Sequence, residues 1–193
     1  MKYGRDQNNK EILINTDLNN YQTMMEWEKP YMEYLVDNLK PFGNVLEIGF
    51  GLGYSASQIQ KHDIKSHTII ECEKIVLENI EHWKKNKQKK IIVKEGYWQD
   101  ILDSLDVYDC IFYDDAPSVK YNSENLRFRK FLESILPHVK SGTRMTWYAE
   151  QCDIDFSNYP GYYSAHDFKI IIPDNCQYNK NKNKMLCPLI EYK

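Results

Sequence analysis

The chain has 193 residues and a formal net charge of −3, which suits one domain with a sizeable core and argues against a dedicated nucleic-acid binder, since such proteins usually carry a basic excess. Its five cysteines are odd in number and show no C-x-x-C spacing, so they predict reduced thiols. No apolar run is long enough to span a membrane, and we see no signal peptide. We therefore expect a single cytoplasmic domain over residues 1–193, without a metal, a nucleic-acid partner or a membrane, and leave a homodimer open.

The first forty residues divide into two predicted parts. Residues 1–20 are polar and rich in Asn, Asp and Lys, which predicts a flexible arm or lid. Residues 21–40 are predicted to be N-terminal helices with a break before Pro30, because proline disfavours helical backbone in the residue before it and suits the first turn of a new helix. Glu28 therefore lies at a helix junction, where its side chain can point into a site. The alternative is an exposed acid near a helix N-terminus.

A glycine-rich turn follows the first strong strand signal, Val45–Ile48, which contains Glu47. The turn reads Gly49-Phe50-Gly51-Leu52-Gly53-Tyr54 and precedes a stretch that suits a helix. Glycines let the backbone turn sharply and approach a ligand closely, and the amides at a helix start favour an anionic group. Tyr54 occupies the third glycine position of the NAD fingerprint, so that fingerprint is not met. The acid-x-Gly-x-Gly-x-Gly form resembles the first motif of S-adenosylmethionine (SAM) dependent methyltransferases, and a structural glycine turn in another α/β domain is the alternative.

Strands and helices alternate along the rest of the chain. Strands are predicted at 68–70, 91–93, 110–113 and 145–148, and helices at 75–83, around 101–105 and at 123–136. Two tail strands, 168–172 and 185–192, are joined by one polar loop and predict an antiparallel pair, in which Pro188 indicates an edge strand or a bulge. The order predicts a three-layer, Rossmann-like α/β fold with a mostly parallel sheet and a C-terminal antiparallel pair, the arrangement of class I SAM-dependent methyltransferases.

Informative residues recur where these strands end. Glu71 ends the second strand roughly 20 residues past the glycines, the spacing at which an acid commonly binds ribose hydroxyls. Tyr97 and Trp98 follow the third strand, and Asp114 and Asp115 follow the fourth. Ligands bind beyond the carboxyl ends of parallel strands, so these positions predict one cofactor site. Three alternatives stay open, namely a helix-capping role for Glu71, core packing for Trp98 and turn capping for Asp115.

Several motifs together resemble guanidinoacetate N-methyltransferases. The segment 24–32 is similar to the family's M-x-x-W-E-x-P-Y-M, 46–51 to L-E-V-G-F-G, 69–72 to I-I-E-C, 96–100 to G-L-W-E-D, 113–114 to the start of Y-D-T-Y-P, and 175–178 to D-C-R-Y. The yeast-type arginine δ-N-methyltransferases share the glycine turn, the G-x-W-Q-D form and the Tyr-Asp pair. The resemblance covers roughly residues 21–148, and more loosely the tail.

The resemblance implies roles for individual residues. Glu28 and Asp114 would grip a guanidino group. Asp115 is a third catalytic candidate because it is an adjacent carboxylate facing the same site, and not because the family has an acid there. The cofactor would be SAM, with S-adenosylhomocysteine (SAH) as product. The implied cofactor-binding residues are Met24, Met32, Glu47, Gly49, Phe50, Gly51, Leu52, Gly53, Tyr54, Glu71, Cys72, Gly96, Tyr97, Trp98 and Asp114. The chemistry agrees, because two carboxylates can bind a cationic guanidinium and one of them can take a proton as nitrogen attacks the methyl group.

Two departures from the family bear on the acceptor. Ala116 replaces the family's tyrosine and Asp115 its threonine, and the extra acid suggests a more cationic acceptor or a different amine. The segment 149–167 is shorter than in the family and does not match the residues that hold the substrate's carboxylate. We predict a SAM-dependent N-methyltransferase acting on a guanidino or amino nitrogen of a small molecule. The alternatives are a protein arginine methyltransferase, a SAM-binding module without activity and a nucleotide-dependent oxidoreductase, against which Tyr54 counts.

Overall fold

The computed structural model describes residues 1–116, 124–179 and 183–193, and for 124–126 only the backbone. The first residue of the predicted helix 123–136 therefore lies outside the described residues, as does part of the predicted tail loop. The described chain contains a small antiparallel sheet at the N-terminus and a larger mixed sheet flanked by helices.

Three antiparallel strands precede the first helix: β1 (Lys2–Arg5), β2 (Glu11–Asn15) and β3 (Tyr21–Met25). Of the predicted flexible arm or lid over 1–20, the flexible arm is therefore wrong, and so is a helix from Tyr21, since strands occupy these stretches. The reason is burial: Ile12, Leu13, Met24 and Met25 are almost fully buried, so the sheet covers the core with apolar side chains that a loose arm would leave in water. Whether this sheet opens for a ligand stays a prediction.

Helix α1 (Lys29–Leu39) follows a short 3-10 turn, Glu26–Glu28, and has Pro30 in its first turn as predicted. Tyr31 and four aliphatic or methionine residues at helical spacing are fully buried on one face of α1. Glu28 lies at the predicted junction, but it is only 2% exposed, so the reading of an exposed acid is wrong. A charged residue is rarely placed so deep without a function or a partner.

The central sheet has the order β6-β5-β4-β7-β8-β10-β9, with strands β4 (Gly43–Ile48), β5 (Ile64–Glu71), β6 (Lys90–Glu95), β7 (Cys110–Tyr113), β8 (Arg144–Trp147), β9 (Gly161–Lys169) and β10 (Lys184–Tyr192). The first five in this order are parallel, and β10 pairs antiparallel with both β8 and β9. The remaining helices are α2 (Tyr54–Ile59), α3 (Lys74–Trp83), α4 (Trp98–Ile101) and α5 (Glu124–Ser134). This confirms the predicted fold class. Within the described ranges, no helix has both the length and the apolar character needed to cross a membrane.

The tail departs from the prediction in two details. Strand β9 spans Gly161–Lys169 and so shares only its last two residues with the predicted strand 168–172. The apolar run that follows leaves the sheet, because Ile172 turns into the core while Ile171 is 86% exposed. Strand β10 is an interior strand and its register with β9 has no shift at Pro188, so the expectation that Pro188 marks an edge or a bulge is wrong. The pairing of β10 with β8 includes only Ile190 and Glu191, and the Pro188 carbonyl instead accepts a hydrogen bond from the Thr146 hydroxyl at 2.6 Å.

A buried phenol ties α1 to the strand ends. The hydroxyl of Tyr31 accepts a hydrogen bond from the Ala149 amide at 3.0 Å and donates to the Leu186 carbonyl at 2.6 Å. Ala149 follows β8 and Leu186 belongs to β10, so one side chain holds the segment beyond β8 against α1, the helix that follows Glu28. This contact sets the position of one wall of the site described below.

Replacing Tyr31 by Phe should destabilise the protein by about 1–3 kcal/mol, because the buried Ala149 amide and Leu186 carbonyl would lose their partner without gaining water. Urea unfolding measures the change. Tyr34→Phe is the matched control on the same helix, since the Tyr34 hydroxyl bonds His166 at the surface, and it should alter stability by less than about 0.5 kcal/mol. Equal stability of Tyr31→Phe and the wild type would contradict this account.

Candidate functional site

The glycine turn packs directly against neighbouring elements. Gly49, Gly51 and Gly53 have φ angles of 80°, 55° and 73°, a region that side chains with a Cβ atom rarely adopt. A Cβ atom on Gly49 would lie 2.2 Å from the carbonyl oxygen of Asp114, and one on Gly51 would lie 2.6 Å from the Met24 sulfur. The glycines are therefore required for the end of β4 to approach the end of β7 and strand β3 this closely.

A small cavity of about 70 Å³ lies at the carboxyl ends of β4, β5 and β6, beneath the N-terminal sheet. It is where the sequence places the cofactor. Nine of the predicted cofactor-binding residues line it: Met24, Gly49, Gly51, Glu71, Cys72, Gly96, Tyr97, Trp98 and Asp114. The other six do not: Met32, Glu47, Phe50, Leu52, Gly53 and Tyr54. Residues distant in sequence thus converge on one cavity, as the strand-end argument expects.

The six residues away from this cavity have structural contacts instead. Met32 is fully buried on the core face of α1, and Glu47 is fully buried with its carboxylate 2.9 Å from the imidazole of His67. The Tyr54 hydroxyl donates to Glu11 at 3.1 Å, and the Leu52 amide lies 3.2 Å from the Met24 sulfur. These contacts hold the glycine turn against the core and the N-terminal sheet.

Glu71 joins the glycine turn to the start of α3. One carboxylate oxygen accepts a hydrogen bond from the Phe50 amide at 3.1 Å, and the other accepts from the amides of Cys72 and Glu73 at 2.8 and 2.9 Å. Burial raises the pKa of Glu71 despite these three donors. The amides of Cys72 and Glu73 precede α3, and no side-chain hydrogen bond caps that helix, so the helix-capping alternative is wrong and these bonds shape the turn before it. The same carboxylate also faces the cavity, where ribose hydroxyls are expected.

Trp98 packs as a core residue. It is 2% exposed, and its ring meets those of Phe131 and Tyr113 edge-on at 5.1 and 6.3 Å. Its indole N–H donates to Asp115 at 2.8 Å. The core-packing alternative thus describes most of this side chain, and Tyr97, which is partly exposed, is the better candidate for covering an adenine ring.

A larger cavity of about 460 Å³ adjoins the small one. Both are lined by Thr23, Asp114, Asp115 and Ala116, so the end of β7 separates two connected spaces. Glu28 lines the larger cavity. A volume of this size suits a small organic ligand or a side chain of a larger one. Asp114 therefore lies where a group bound in one cavity would meet a group bound in the other.

Glu28 and Asp114 are the predicted pair of carboxylates, and the structure brings them to one pocket. One oxygen of Glu28, Oε1, accepts hydrogen bonds from the Met25 amide at 2.7 Å and from the Tyr178 hydroxyl. Burial and then repulsion from Asp114 raise the pKa of Glu28 to about 8. Burial, followed by repulsion from Glu47 and further acids, raises the pKa of Asp114 to about 7. A pocket with two such acids favours a cationic ligand, because the cation relieves their repulsion.

Asp115 belongs to a different network. One carboxylate oxygen accepts from Trp98 Nε1 at 2.8 Å and from the Tyr113 hydroxyl at 3.2 Å, and it lies 3.1 Å from Nε of the buried Arg127. The Asp115 carbonyl also accepts from Arg127 at 3.0 Å. Arg127 therefore neutralises the added acid. The hypothesis that Asp115 marks a more cationic acceptor loses its support, and the geometry favours an anchoring role over catalysis.

Sequence reasoning missed several residues that line the larger cavity, namely Thr23, Tyr148, Tyr178, Arg127, Phe128 and Trp147. Only Tyr178 had a signal, the Asn-Cys-Gln-Tyr motif that resembles the family's D-C-R-Y. The others come from strands and a helix whose neighbours are remote in sequence. No local pattern distinguishes such residues from ordinary core aromatics.

Comparison with known proteins agrees with this geometry. A family model described as guanidinoacetate N-methyltransferase matches residues 7–154. Among curated relatives, protein arginine N-methyltransferase 2 of Candida glabrata is 35% identical over an alignment 114 residues long, which covers 54% of this chain and 28% of that protein. The chain thus matches little more than a quarter of the length of such relatives.

Solved structures share the fold at low identity. The spermidine synthase of Thermotoga maritima has a TM-score of 0.63 at 14% identity, covering 99% of this chain and 72% of that one. An O-methyltransferase from Bacillus cereus, solved in complex with SAH, has a TM-score of 0.57 at 14% identity, covering 87% of this chain and 82% of that one. At such identities the likeness concerns the fold alone.

The raised pKa values of Glu28 and Asp114 make stability depend on pH. Both acids ionise at lower pH in the unfolded chain, near 4.5 and 3.8, than in the folded protein, near 8 and 7. The unfolded state therefore binds fewer protons than the folded state between these pH values. The free energy of unfolding accordingly falls as pH rises from about 4 to about 8, by at most about 1.4 kcal/mol per pH unit for each group. Glu28→Gln should remove one of these contributions.

We expect the stability of Glu28→Gln relative to wild type to increase between pH 5 and pH 8, measured by urea unfolding at each pH. Glu78→Gln, a change at an exposed acid on α3, is the control and should run parallel to wild type. If the free energies of unfolding of Glu28→Gln and wild type changed in parallel with pH, folding would not raise the pKa of Glu28.

Proposed function

The chain belongs to the guanidinoacetate N-methyltransferase family of SAM-dependent enzymes, and we propose that it transfers a methyl group from SAM to a guanidino or amino nitrogen of a small molecule. The observation that carries the proposal is the position of Asp114, which lines both cavities and lies against the glycine turn while Glu28 lines the larger cavity. A carboxylate at the junction of two cavities can contact ligands bound in both, as a group transfer between them requires.

The residues around the small cavity fit the cofactor in kind. The glycine turn leaves its backbone open to a ligand, and Glu71 supplies a charged acceptor for ribose hydroxyls. The volume of about 70 Å³ is well below that of a site for a nucleoside-sized ligand, roughly 300 Å³ or more. Leu13 and Met24 of the N-terminal sheet line its wall, so we infer that this sheet shifts outward when the cofactor enters and then covers it.

The larger cavity supports a role as acceptor site. Glu28 and Asp114 would bind the planar, cationic head of the acceptor, and the entering charge would lower both pKa values and release protons. SAM, when bound, supplies an electrophilic methyl group on a sulfonium. Asp114 would take the proton that the attacking nitrogen loses as the new N–C bond forms and the sulfur keeps the electron pair of the broken bond, giving SAH. Glu28 would hold the acceptor in line.

Two other functions are kept. The name of the Candida glabrata relative favours arginine in a protein as the acceptor, and a cavity of about 460 Å³ has room for an arginine side chain. A SAM-binding module without activity is the other alternative, for which Ala116 in place of the family's tyrosine is the motive. Retention of both Glu28 and Asp114 argues against it.

A methyl-release screen separates these functions. The purified protein is incubated with SAM and with guanidino compounds, simple amines or arginine-containing peptides, and SAH is measured. Turnover of small guanidino compounds or amines supports the proposal, and turnover of peptides alone supports the second function. If no acceptor yields SAH although the protein binds SAH, the result supports the SAM-binding module without activity.

Cofactor binding should depend on the charge of Glu71. We expect Glu71→Gln to weaken SAH binding about tenfold or more, because a charge-assisted bond to a ribose hydroxyl contributes about 1.5–3 kcal/mol. Isothermal titration calorimetry measures the affinity, and Glu78→Gln serves as the surface control. Unchanged SAH affinity in Glu71→Gln would remove Glu71 from the cofactor site.

Turnover should depend on Asp114 more than on Glu28. Asp114→Asn should lower kcat about 10²–10⁴-fold on the best acceptor of the screen, because the amide neither neutralises the cation nor takes its proton. Glu28→Gln should mainly raise the KM of the acceptor, since it removes one partner of the binding fork. Initial rates at saturating SAM measure both effects.

Asp115→Asn is the matched control at the adjacent position. It removes the charge that pairs with buried Arg127, so we expect a loss of stability of about 3–5 kcal/mol and a much smaller fall in kcat than in Asp114→Asn. Full turnover by Asp114→Asn would contradict the proposed role of Asp114. A fall in kcat for Asp115→Asn equal to that for Asp114→Asn would restore Asp115 as a catalytic residue.

A further inference from the structure

The tail segment 174–179, between β9 and β10, docks onto strand β3. The Gln22 amide donates to the Gln177 side-chain oxygen at 3.2 Å, and the Gln177 amide donates to the Gln22 side-chain oxygen at 2.7 Å. The Gln22 side chain also donates to the Asn175 carbonyl at 2.9 Å, while the Asn175 side chain reaches Asp6 at 2.9 Å. These four bonds hold a polar loop of the tail against the N-terminal sheet.

This docking places Tyr178 beside Glu28. The Tyr178 ring stacks on Trp27 with centroids 6.3 Å apart and tilts against Tyr21 at 6.4 Å. Its hydroxyl donates a short hydrogen bond to Oε1 of Glu28. The Met25 amide donates to the same oxygen, so both bonds to Glu28 from described residues go to Oε1 and leave Oε2 for a ligand. The aromatic contacts fix the position of the Tyr178 ring and therefore of the hydroxyl that donates to Glu28.

We propose that Tyr178 is a positioning residue of the acceptor site, whose hydroxyl holds Oε1 of Glu28 so that Oε2 is presented to the cationic nitrogen group of the acceptor. The inference rests on the proposed function. Without this donor, Glu28 keeps only the Met25 amide and gains rotational freedom, and a carboxylate that turns away binds one arm of a guanidinium less well. Tyr178 therefore acts through Glu28.

The electrostatic surroundings give this role a measurable consequence. The ionisable groups that interact with Glu28 are Asp114 at the end of β7, Tyr31 on α1, Tyr54 on α2, Tyr148 after β8, and Cys176 and Tyr178 in the tail segment. Burial and Asp114 raise the pKa of Glu28, whereas the Tyr178 hydroxyl and the Met25 amide lower it. Loss of the Tyr178 donor should therefore raise the pKa of Glu28 further, so that a larger fraction is neutral at a given pH.

Tyr178→Phe tests the inference, because it keeps the ring and its contacts with Trp27 and removes only the donor. At saturating SAM and with the best acceptor of the screen, we expect the KM of the acceptor to rise about tenfold and kcat to fall less than threefold. The acidic limb of the kcat/KM profile should move upward by about half to one pH unit. If Tyr178 contributed to stability alone, neither the KM of the acceptor nor the acidic limb of the kcat/KM profile would change.

Tyr159→Phe is the control, since the Tyr159 hydroxyl is also bonded, to the Leu132 carbonyl at 2.7 Å and to Tyr192, but lines neither cavity. It should leave KM and the pH profile unchanged. The double variant Glu28→Gln plus Tyr178→Phe should have the same KM as Glu28→Gln alone, because the second change acts only through the first residue. Additive effects of the two changes on KM would overturn the inference.

The outcome for Tyr178 is distinguishable from the outcome for the proposed function. If wild type turns over an acceptor and Tyr178→Phe shows the same KM and pH limb, the inference fails while the proposed function stands. If wild type methylates nothing, the proposed function and the acceptor role of Tyr178 fail together. Urea unfolding from pH 5 to 9 then tests the hydrogen bond itself, and superimposable curves for wild type and Tyr178→Phe, after a constant offset, would disprove it.

Discussion

The site depends on keeping two acidic side chains buried in one pocket. Glu28 is almost fully buried and faces the repulsion of Asp114, so the ionised pair costs folding free energy until a cation arrives. Several features limit that cost without removing it. The Met25 amide and the Tyr178 hydroxyl bond to Glu28, and the 3-10 turn before α1 fixes the direction of its side chain. In the proposed function, a cationic head group that enters this pocket would relieve the repulsion between the two acids.

The close approach of the glycine turn to β7 determines where the two cavities meet. The carbonyl of Asp114 lies where any side chain on Gly49 would be, so β4 and β7 meet at their carboxyl ends with no intervening side chain. The small cavity lies on the β4 side of this contact, and the larger cavity extends beyond β7 toward Tyr148 and Tyr178. Asp114 is common to both because the sheet order puts β7 next to β4.

The substitutions beside Asp114 change the site less than their charge suggests. Asp115 adds an acid, but Arg127 on α5 pairs with it, and Trp98 and Tyr113 donate hydrogen bonds to it. A buried pair of this kind holds α5 to the end of β7 and adds no net charge to the larger cavity. Phenols from other elements, Tyr148 after β8 and Tyr178 in the tail, lie near the two carboxylates, although the family's tyrosine after the site aspartate is Ala116 here.

The sequence alone determined the features that depend on residues close together in the chain. Alternation of apolar strands with helices predicted the sheet, the spacing of Gly49, Gly51 and Gly53 predicted the turn, and Pro30 predicted the start of α1 and so the junction at Glu28. The tertiary structure decided the rest. It made a sheet of the polar N-terminus with apolar side chains against the core, paired Asp115 with Arg127 and brought Tyr178 to Glu28 across 150 residues of chain. The reason is that backbone propensity acts between neighbours, whereas the partner of a buried charge is selected by which distant elements pack together.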